Sequence, residues 1–450
     1  KSLYVANGDA DTISVVDVTS HRQTATIPVN RNGSKLVGAN PTGLAFSQDG
    51  KRLYVTNSGH NEVAVINVAT RKVIGDIPTG WYPTQVLAHG RKLSITSAKG
   101  LGAGPNNGPN HPNPTDPHDT AENQYSGSLI KGLLSTVSEP DAATLAKLTA
   151  TVEKNNTAND PARSSAVPNQ IGTTSSKIKH VIYIVRENRT FDQELGSNGR
   201  GNADPSLNLF GDESAPNTRA LARQFTTFDN FYADAEVSAN GWNWVSQANS
   251  NPWSEEMWPS NYSGRGAPYP AENNDPESRA KEHDSYFWEH LSKNNISFRN
   301  YGFYTTLDKK GKAHGVDKKI LDPNTDHDFI GWTLDCPDSA RSFAPMAKNC
   351  GPKSRVDEWK SDFNKQLAKG SVPTVQLVRF GNDHTQATKV GVPTPQAYVA
   401  DNDQAIGQLV ETVSHSPIWK DTAIFLTEDD AQNGPDHVDA HRTIGEVISP

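Results

Sequence analysis

Carboxylates and imidazoles crowd into a few short stretches of this sequence, each just after an apolar run. Arg186-Glu187-Asn188-Arg189 is one, Arg379-Phe380-Gly381-Asn382-Asp383-His384 another, and Thr427-Glu428-Asp429-Asp430 a third. Asp436-His437 and Asp439-Ala440-His441 follow the last of these closely. Neighbouring carboxylates repel one another unless protons or a cation neutralise them. Oxygen donors mixed with imidazoles suit a divalent metal. A single acidic residue here reads better as exposed strand-end polarity, and Glu428-Asp429-Asp430 alone has an acidic helix-capping turn as its alternative. The recurrence of the pattern after successive runs is what points to a metal centre. Hydrolysis at such a centre calls for a nucleophile. Ser238 lies in Val237-Ser238-Ala239-Asn240-Gly241-Trp242, where Asn240-Gly241 signals a turn and Trp242-Asn243-Trp244-Val245 is expected to open a helix. A serine at a helix amino terminus gains from the dipole and from free N–H groups that hold a phosphate. Spacing alone favours the plainer role of N-cap.

Those residues need elements to bring them together. Ile178 to Val185, Val375 to Val378 and Ala423 to Leu426 are apolar runs without alternation. Such runs suit strands buried on both faces of a parallel sheet. Pro395 to Ser414, with Ala397, Val399, Ile406, Leu409 and Val413, predicts one of the covering helices. The expectation is a three-layer α/β domain whose ligands sit beyond the carboxyl ends of its strands. Arg186, Arg189 and Arg379 at those ends read either as phosphate contacts or as ion-pair residues. Between about 250 and 370 lie many aromatics, among them Trp253, Trp258, Tyr286, Trp288, Phe303 and Tyr304. Packing accounts for most of them, with a pocket wall as the alternative. His283, His290, His314 and His327 in the same region read as solvated loop histidines.

The first hundred residues repeat. Leu3-Tyr4-Val5-Ala6-Asn7 recurs as Leu53-Tyr54-Val55-Thr56-Asn57, Ile27-Pro28 as Ile77-Pro78, and Pro41-Thr42 as Pro83-Thr84. Repeats of about 40 to 50 residues built from short strands and Gly/Asp turns signal propeller blades. Asp49-Gly50, between Phe46 and Leu53, reads as a hairpin turn. The stretch 99–127 has loop composition. Ser128 to Val137 reads as a returning strand, and Ser138 as the cap of a helix with Pro140 in its first turn and Leu145, Leu148 and Val152 on its apolar face. The expected organisation is therefore a partial propeller with its loop over 1–137, a helix and linker over 138–176, and the α/β domain over 177–450.

Composition narrows the function classes. With 34% hydrophobic residues, 34 glycines and 29 prolines, the chain reads as loop-rich and globular. A net charge of −8 with no basic run argues against nucleic acid as a partner. No apolar run approaches a membrane span. Cys336 and Cys350 fit no zinc pattern and leave a disulfide and two free thiols equally open. The chain opens inside a strand pattern and shows no signal peptide, so a fragment or processed form is expected.

Ile178-Lys179-His180-Val181 through Glu187-Asn188-Arg189-Thr190-Phe191-Asp192 resembles the opening motif of the phosphoesterase family, which includes bacterial acid phosphatases and phospholipases C within the alkaline phosphatase superfamily. Asn382-Asp383-His384-Thr385 and Glu428-Asp429-Asp430 with Asp436-His437-Val438 resemble its later motifs, so that the likeness spans about 176 to 450. The Tyr-Val-Thr-Asn signature resembles the YVTN family of β-propellers, and the fusion resembles exported YVTN-repeat phosphoesterases. The resemblance implies that Glu187, Asn188, Asp429 and Asp430 bind metal and that Ser238 is the nucleophile. It places Asp383, His384, His437 and His441 near the phosphoryl group or a second metal, with Asn188, Arg189 and His441 as substrate contacts. It implies one or two divalent ions (Zn, Ca, Mn or Mg), a small-molecule or lipid phosphate ester as substrate, and a periplasmic or extracellular home. Trp242 departs from the pattern, where a His or Arg is expected. Two other functions stay open: a cell-surface propeller binding protein whose α/β domain is not catalytic, and phosphodiesterase or phospholipase C-type activity. Sulfate esters are disfavoured, because Ser238-Ala239-Asn240-Gly241-Trp242 lacks the sulfatase Cys/Ser-x-Pro-x-Arg pattern.

Overall fold

The computed structural model describes residues 1–30, 38–106, 126–157, 177–272, 286–334, 336–340, 350–431 and 434–450. Contacts divide the chain into two units, Lys1–Ala103 with Ile130–Thr173, and Gly104–Leu129 with Thr174–Pro450.

The first unit is built from short antiparallel strands. β1 (Ser2–Asn7), β2 (Thr12–Asp17) and β3 (Arg22–Pro28) make one sheet, and β4 (Pro41–Phe46), β5 (Arg52–Asn57), β6 (Glu62–Asn67) and β7 (Lys72–Pro78) a four-stranded meander. β8 (Trp81–His89), β9 (Lys92–Gly100) and β10 (Leu133–Ser138) make a third sheet. The repeated segments Leu3–Asn7 and Leu53–Asn57 occupy equivalent strands, β1 and β5, each pairing with the next strand in the same register. Phe46 pairs with Leu53, and Gly50 takes a φ of 67° in the turn between them. All-antiparallel sheets of this size are compatible with a propeller-like portion.

The helix Ala142–Thr157 belongs to this unit rather than to a linker. Its Leu145 is buried, Gly75 of β7 leaves room for that side chain, and Thr149 Oγ1 accepts a hydrogen bond from the Asp76 N–H at 2.9 Å. Its cap is Asp141, whose carboxylate accepts the Thr144 N–H at 2.8 Å. Ser138, expected to cap it, is the last residue of β10. Residues Ser126–Leu129 form a helical turn, so the returning strand starts only at Leu133.

The second unit is centred on a six-stranded sheet of β11 (His180–Arg186), β12 (Thr226–Tyr232), β13 (Phe298–Tyr301), β16 (Val375–Arg379), β17 (Thr422–Glu428) and β18 (Arg442–Ile448) in the order β12-β18-β17-β11-β16-β13. A small hairpin, β14 (Thr305–Leu307) and β15 (Ala313–Gly315), stands apart from it. The three apolar runs are neighbours: β11 lies in the middle and pairs in parallel with β16 and β17. Alternate residues of β11 feed two cores. Ile182 and Ile184 pack with Trp359 and Phe363 of the helix Arg355–Ala368 and with Ile406 and Leu409 of the helix Pro395–Ser414. Val181, Tyr183 and Val185 face Trp242, Trp288, Phe303 and Tyr304 on the other side. Tyr286, Trp288, Phe303 and Tyr304 thus pack in a core layer, as expected for most of the middle-region aromatics, while Trp253 stays 38% exposed; the lack of alternation follows from burial on both faces.

Cys336 and Cys350, 14 residues apart and both buried, are joined in a disulfide. A loop of that length closed covalently is worth about 3 kcal/mol in the chain-entropy model. The double variant Cys336→Ser/Cys350→Ser is therefore expected to lower the stability of this unit by about 3 kcal/mol, read from the urea midpoint of its tryptophan fluorescence. Reductant added to the unaltered protein should reproduce the shift, and an unchanged midpoint in both cases would contradict it.

Candidate active site

Register brings the three strand ends to one edge. Val185 of β11 pairs with Arg379 of β16, and Arg186 with Glu428 of β17. Arg186, fully buried, donates to Glu194 at 2.9 Å, to Glu428, and to Asn402 at 3.4 Å. Asp383 is also committed to structure: its oxygens accept the Glu187 N–H at 3.1 Å and the Asn402 amide at 3.3 Å, with Arg186 Nε 3.9 Å away. Burial, with the Glu428 charge beside it, pushes the Asp383 carboxyl well above its ordinary range. Glu428 and Asp383 thus form a layer beneath the site, holding the turn that carries Glu187 and Asn188.

Ser238 begins the helix Ser238–Gln247 and is not its N-cap. Val237 takes that position, and Asn240 folds back to accept the Val237 N–H at 3.2 Å. This leaves the Ser238 hydroxyl to donate to Asp430 Oδ2 at 2.9 Å. Asn240-Gly241, expected as a turn before the helix, lies within its first turns. A Cβ on Gly241 would sit 2.5 Å from the Asp429 carbonyl oxygen, so glycine is what lets the helix rest on the end of β17.

Around that contact lie the other expected ligands. Asn188 Nδ2 donates to Asp430 at 3.3 Å. Glu187 Oε2 accepts from Trp242 Nε1 at 3.2 Å and from Arg379 at 2.8 Å. The Arg379 guanidinium lies 3.8 Å from the centre of the Trp242 ring and donates to Glu272 at 2.7 Å as well. Trp242 therefore takes the place of an expected cation by stacking on one. Asp429 is different: both oxygens are buried and no protein donor meets them. Burial and the neighbouring charges of Asp430 and Glu187 push its carboxyl well above the usual range. Burial and Glu187 raise Asp430 to about 7 against the opposing pull of Ser238. Orphaned carboxylate oxygens beside a second carboxylate and an amide fit a hard divalent cation, which would displace the protons.

The expected histidines spread over three places. His384 is half-buried beside Trp332, its ring edge-on at 5.1 Å, with Nδ1 2.8 Å from the Thr385 carbonyl. Arg189, expected to bind substrate, holds this turn by donating to the Asp383 and His384 carbonyls. His437 sits in another cluster, with Nδ1 2.6 Å from Asp192 and Nε2 3.1 Å from Asn202. His441 lies between Asp439 at 2.9 Å and Glu236 at 3.7 Å. Burial lowers its affinity for a proton, but hydrogen bonds to Asp439 and Glu236 outweigh this and bring it to about 9. Glu236 accepts from Asn240 at 2.7 Å, which ties this imidazolium to the Ser238 turn.

Three groups of His, Asp and Glu among the described residues bring ligand atoms within 4.8 Å of one another: His314-Asp322-His327, Asp192-Asp436-His437 and Asp326-Asp328-Glu358. Glu187, Asp429 and Asp430 are not among these groups, and Glu187 Oε2 is drawn to Arg379 at 2.8 Å. In the second group Arg442 already bonds both carboxylates, at 2.9 Å each, which offsets the need for a cation. In the first, His314 lies 3.2 Å from Asp322 rather than in solvent. His283 lies outside the described residues. Sequence reasoning did not single out Glu236 or Trp332; an isolated acid and an isolated indole in loops carry no spacing signal.

Residues 198–445 match the model of the phosphoesterase family. No curated protein matches the chain. Among solved structures, one of a protein in the alkaline phosphatase superfamily from Vibrio parahaemolyticus is 17% identical, over 61% of this chain and 61% of that one, with a TM-score of 0.38. Kuenenia stuttgartiensis hydrazine synthase is 21% identical over 22% of this chain and 26% of its own, with a TM-score of 0.19. The Cps50 (Swd1) β-propeller domain of Myceliophteria thermophila is 17% identical over 22% and 32%, with a TM-score of 0.20. The chain thus spans less than two thirds of each of these proteins.

Buried acids set a pH dependence. Besides Asp430 at about 7, Glu446 of β18 has both oxygens buried without a donor, and burial raises it to about 8 despite the Arg186 charge. Carboxyls with raised folded values stabilise below their unfolded values, and that contribution is lost as pH rises through the folded ones. Thermal stability of the chelated protein is expected to fall between about pH 5 and about pH 8. Glu446→Gln should flatten part of the decline, and an added divalent ion should offset the Asp430 part. Melting temperatures that rise over this range in chelator would refute the assignment.

Proposed function

The chain belongs to the phosphoesterase family, and from that footing we propose that it hydrolyses phosphate esters with Ser238 as the nucleophile. One observation carries this reading. The Ser238 hydroxyl, at a helix amino terminus, is hydrogen-bonded to Asp430 beside a carboxylate, Asp429, whose oxygens meet no donor. Glu187, Asn188, Asp429 and Asp430 would hold a divalent ion, of the Mg, Ca, Mn or Zn kind, which supplies Lewis-acid charge at the phosphoryl oxygen and favours the ionised serine.

The chain's own groups do the rest. Asp430 takes the Ser238 proton as Oγ attacks phosphorus; the Oγ–P bond forms and the bond to the leaving oxygen breaks. The Ser238 and Ala239 N–H groups at the start of the helix are offered to the phosphoryl oxygens, while those of Asn240 and Gly241 are taken by the Val237 carbonyl. His384 gives the leaving oxygen its proton, and Nδ1 bound to the Thr385 carbonyl leaves Nε2 for that task. Water then attacks the phosphoserine and gives a proton back to His384; the new O–P bond forms as the P–Oγ bond breaks, and Asp430 returns its proton to Ser238 Oγ. Asp383, Arg189 and His441 act as positioning residues: the first two set the turns that carry Glu187 and His384, and His441 steadies Glu236 next to the nucleophile turn. His437, held by Asp192 and Asn202, is left to structure.

A small-molecule or lipid phosphate ester outside the cytoplasm is the proposed substrate. A buried disulfide suits an oxidising compartment, and among the described residues no helix is long and apolar enough to cross a membrane.

Ser238→Ala is expected to lower kcat on a chromogenic phosphomonoester by roughly a thousandfold or more, while elemental analysis still finds the divalent ion. Asp429→Asn should instead lose the ion together with the activity. A protein that carries no ion and cleaves neither mono- nor diesters with any added metal would sink the proposal and favour a propeller-led binding role.

A further inference from the structure

Trp332 is an exposed indole held still. It retains 39% of its surface in water, yet the main chain on both sides of it is gripped by one buried guanidinium. Arg355 donates Nε to the Ile330 and Gly331 carbonyls at 2.6 and 3.0 Å, Nη2 to Gly331 and Thr333 at 2.7 and 2.8 Å, and Nη1 to Cys336 at 2.7 Å and Asp338 at 2.6 Å. The Cys336–Cys350 disulfide anchors the same loop a few residues on. Beneath the ring, Gly381 leaves the space in which a Cβ would stand 3.2 Å from the indole.

The ring's surroundings locate it beside the proposed catalytic centre. The Arg379 guanidinium lies over it at 4.9 Å and reaches Glu187 at 2.8 Å. His384, proposed to protonate the leaving oxygen, meets its edge at 5.1 Å. The part of the ring left in water adds nothing to the core. Holding it still does remove the entropy cost that a mobile side chain would pay on binding.

We propose that Trp332 floors a leaving-group subsite that takes a flat, uncharged aryl ring. The free part of the indole offers a stacking surface, and stacking tolerates any planar π system. A cationic head group is disfavoured there, because the Arg379 guanidinium already lies 4.9 Å from the ring centre and two cations would share it. The subsite rests on the proposed function, with the phosphoryl group at Ser238 and His384, which touches the indole, as the acid for the leaving oxygen.

Calorimetry with phosphonates, which carry no cleavable ester, tests it on the metal-loaded full chain. Phenylphosphonate should bind roughly tenfold more tightly than methylphosphonate. Trp332→Ala should abolish that difference, and Trp332→Phe should keep most of it. In hydrolysis, the preference for aryl over alkyl phosphates should fall in Trp332→Ala mainly through KM. Equal affinity for the two phosphonates, a preference untouched by Trp332→Ala, or tighter binding of a trimethylammonium-ethyl phosphonate would each overturn the subsite. Binding that follows these expectations in a chain that hydrolyses no ester would instead overturn Ser238 as nucleophile and leave the subsite standing.

Discussion

Arg186 stands at the carboxyl end of β11 with no exposure to water, and the edge of the sheet is organised around its charge. The end of β17, the turn after β16 and the short helix Phe191–Leu195 would otherwise bring Glu428, Asp383 and Glu194 into a dry interior with nothing to offset them. A buried charge left unpaired costs several kcal/mol, so the guanidinium is a condition for those carboxylates to be there at all. Its partners in turn orient Glu187 and Asn188 through the Asp383 bond to the Glu187 N–H. Beyond that layer the compensation stops: Asp429 and Asp430 have carboxylates, an amide and a hydroxyl for company. The step from paired to unpaired acid, within a few residues of one strand, marks where chemistry is possible.

Much of this was legible in the sequence because the signals were local or periodic. Unalternating runs gave the three central strands, and the Pro395–Ser414 helix was read from its apolar spacing with the same bounds. Acids following those runs converged because parallel strands in register must end at the same edge. What resisted reading depends on the third dimension. Ser238 escaped the N-cap role because Asp430, far along the chain, competes for its hydroxyl. Asn240-Gly241 gave a false turn signal because glycine was needed for contact with Asp429, not for a bend. Asp141 rather than Ser138 caps the helix of the first unit, since β10 had already claimed Ser138. His437 was grouped with the other motif histidines by spacing, but a buried aspartate on another element, Asp192, holds it.

Trp242 shows how a departure from a family pattern can be absorbed. An indole cannot carry charge, but it can stack on a guanidinium and donate one hydrogen bond, and here it does both toward Arg379 and Glu187. The positive charge is supplied from β16 instead of from the nucleophile helix.

The contact between Gly241 and the Asp429 carbonyl has a further consequence. Where two side chains set the spacing of a site, rotamer changes can absorb strain from a distant substitution. Here main chain rests on main chain, and neither partner has a rotamer to give. The spacing between the start of the nucleophile helix and the end of β17 is thereby set by hard atomic radii rather than by a balance of weak bonds. Drift elsewhere in the domain can shift the helix and the strand end together, but it cannot easily draw them apart.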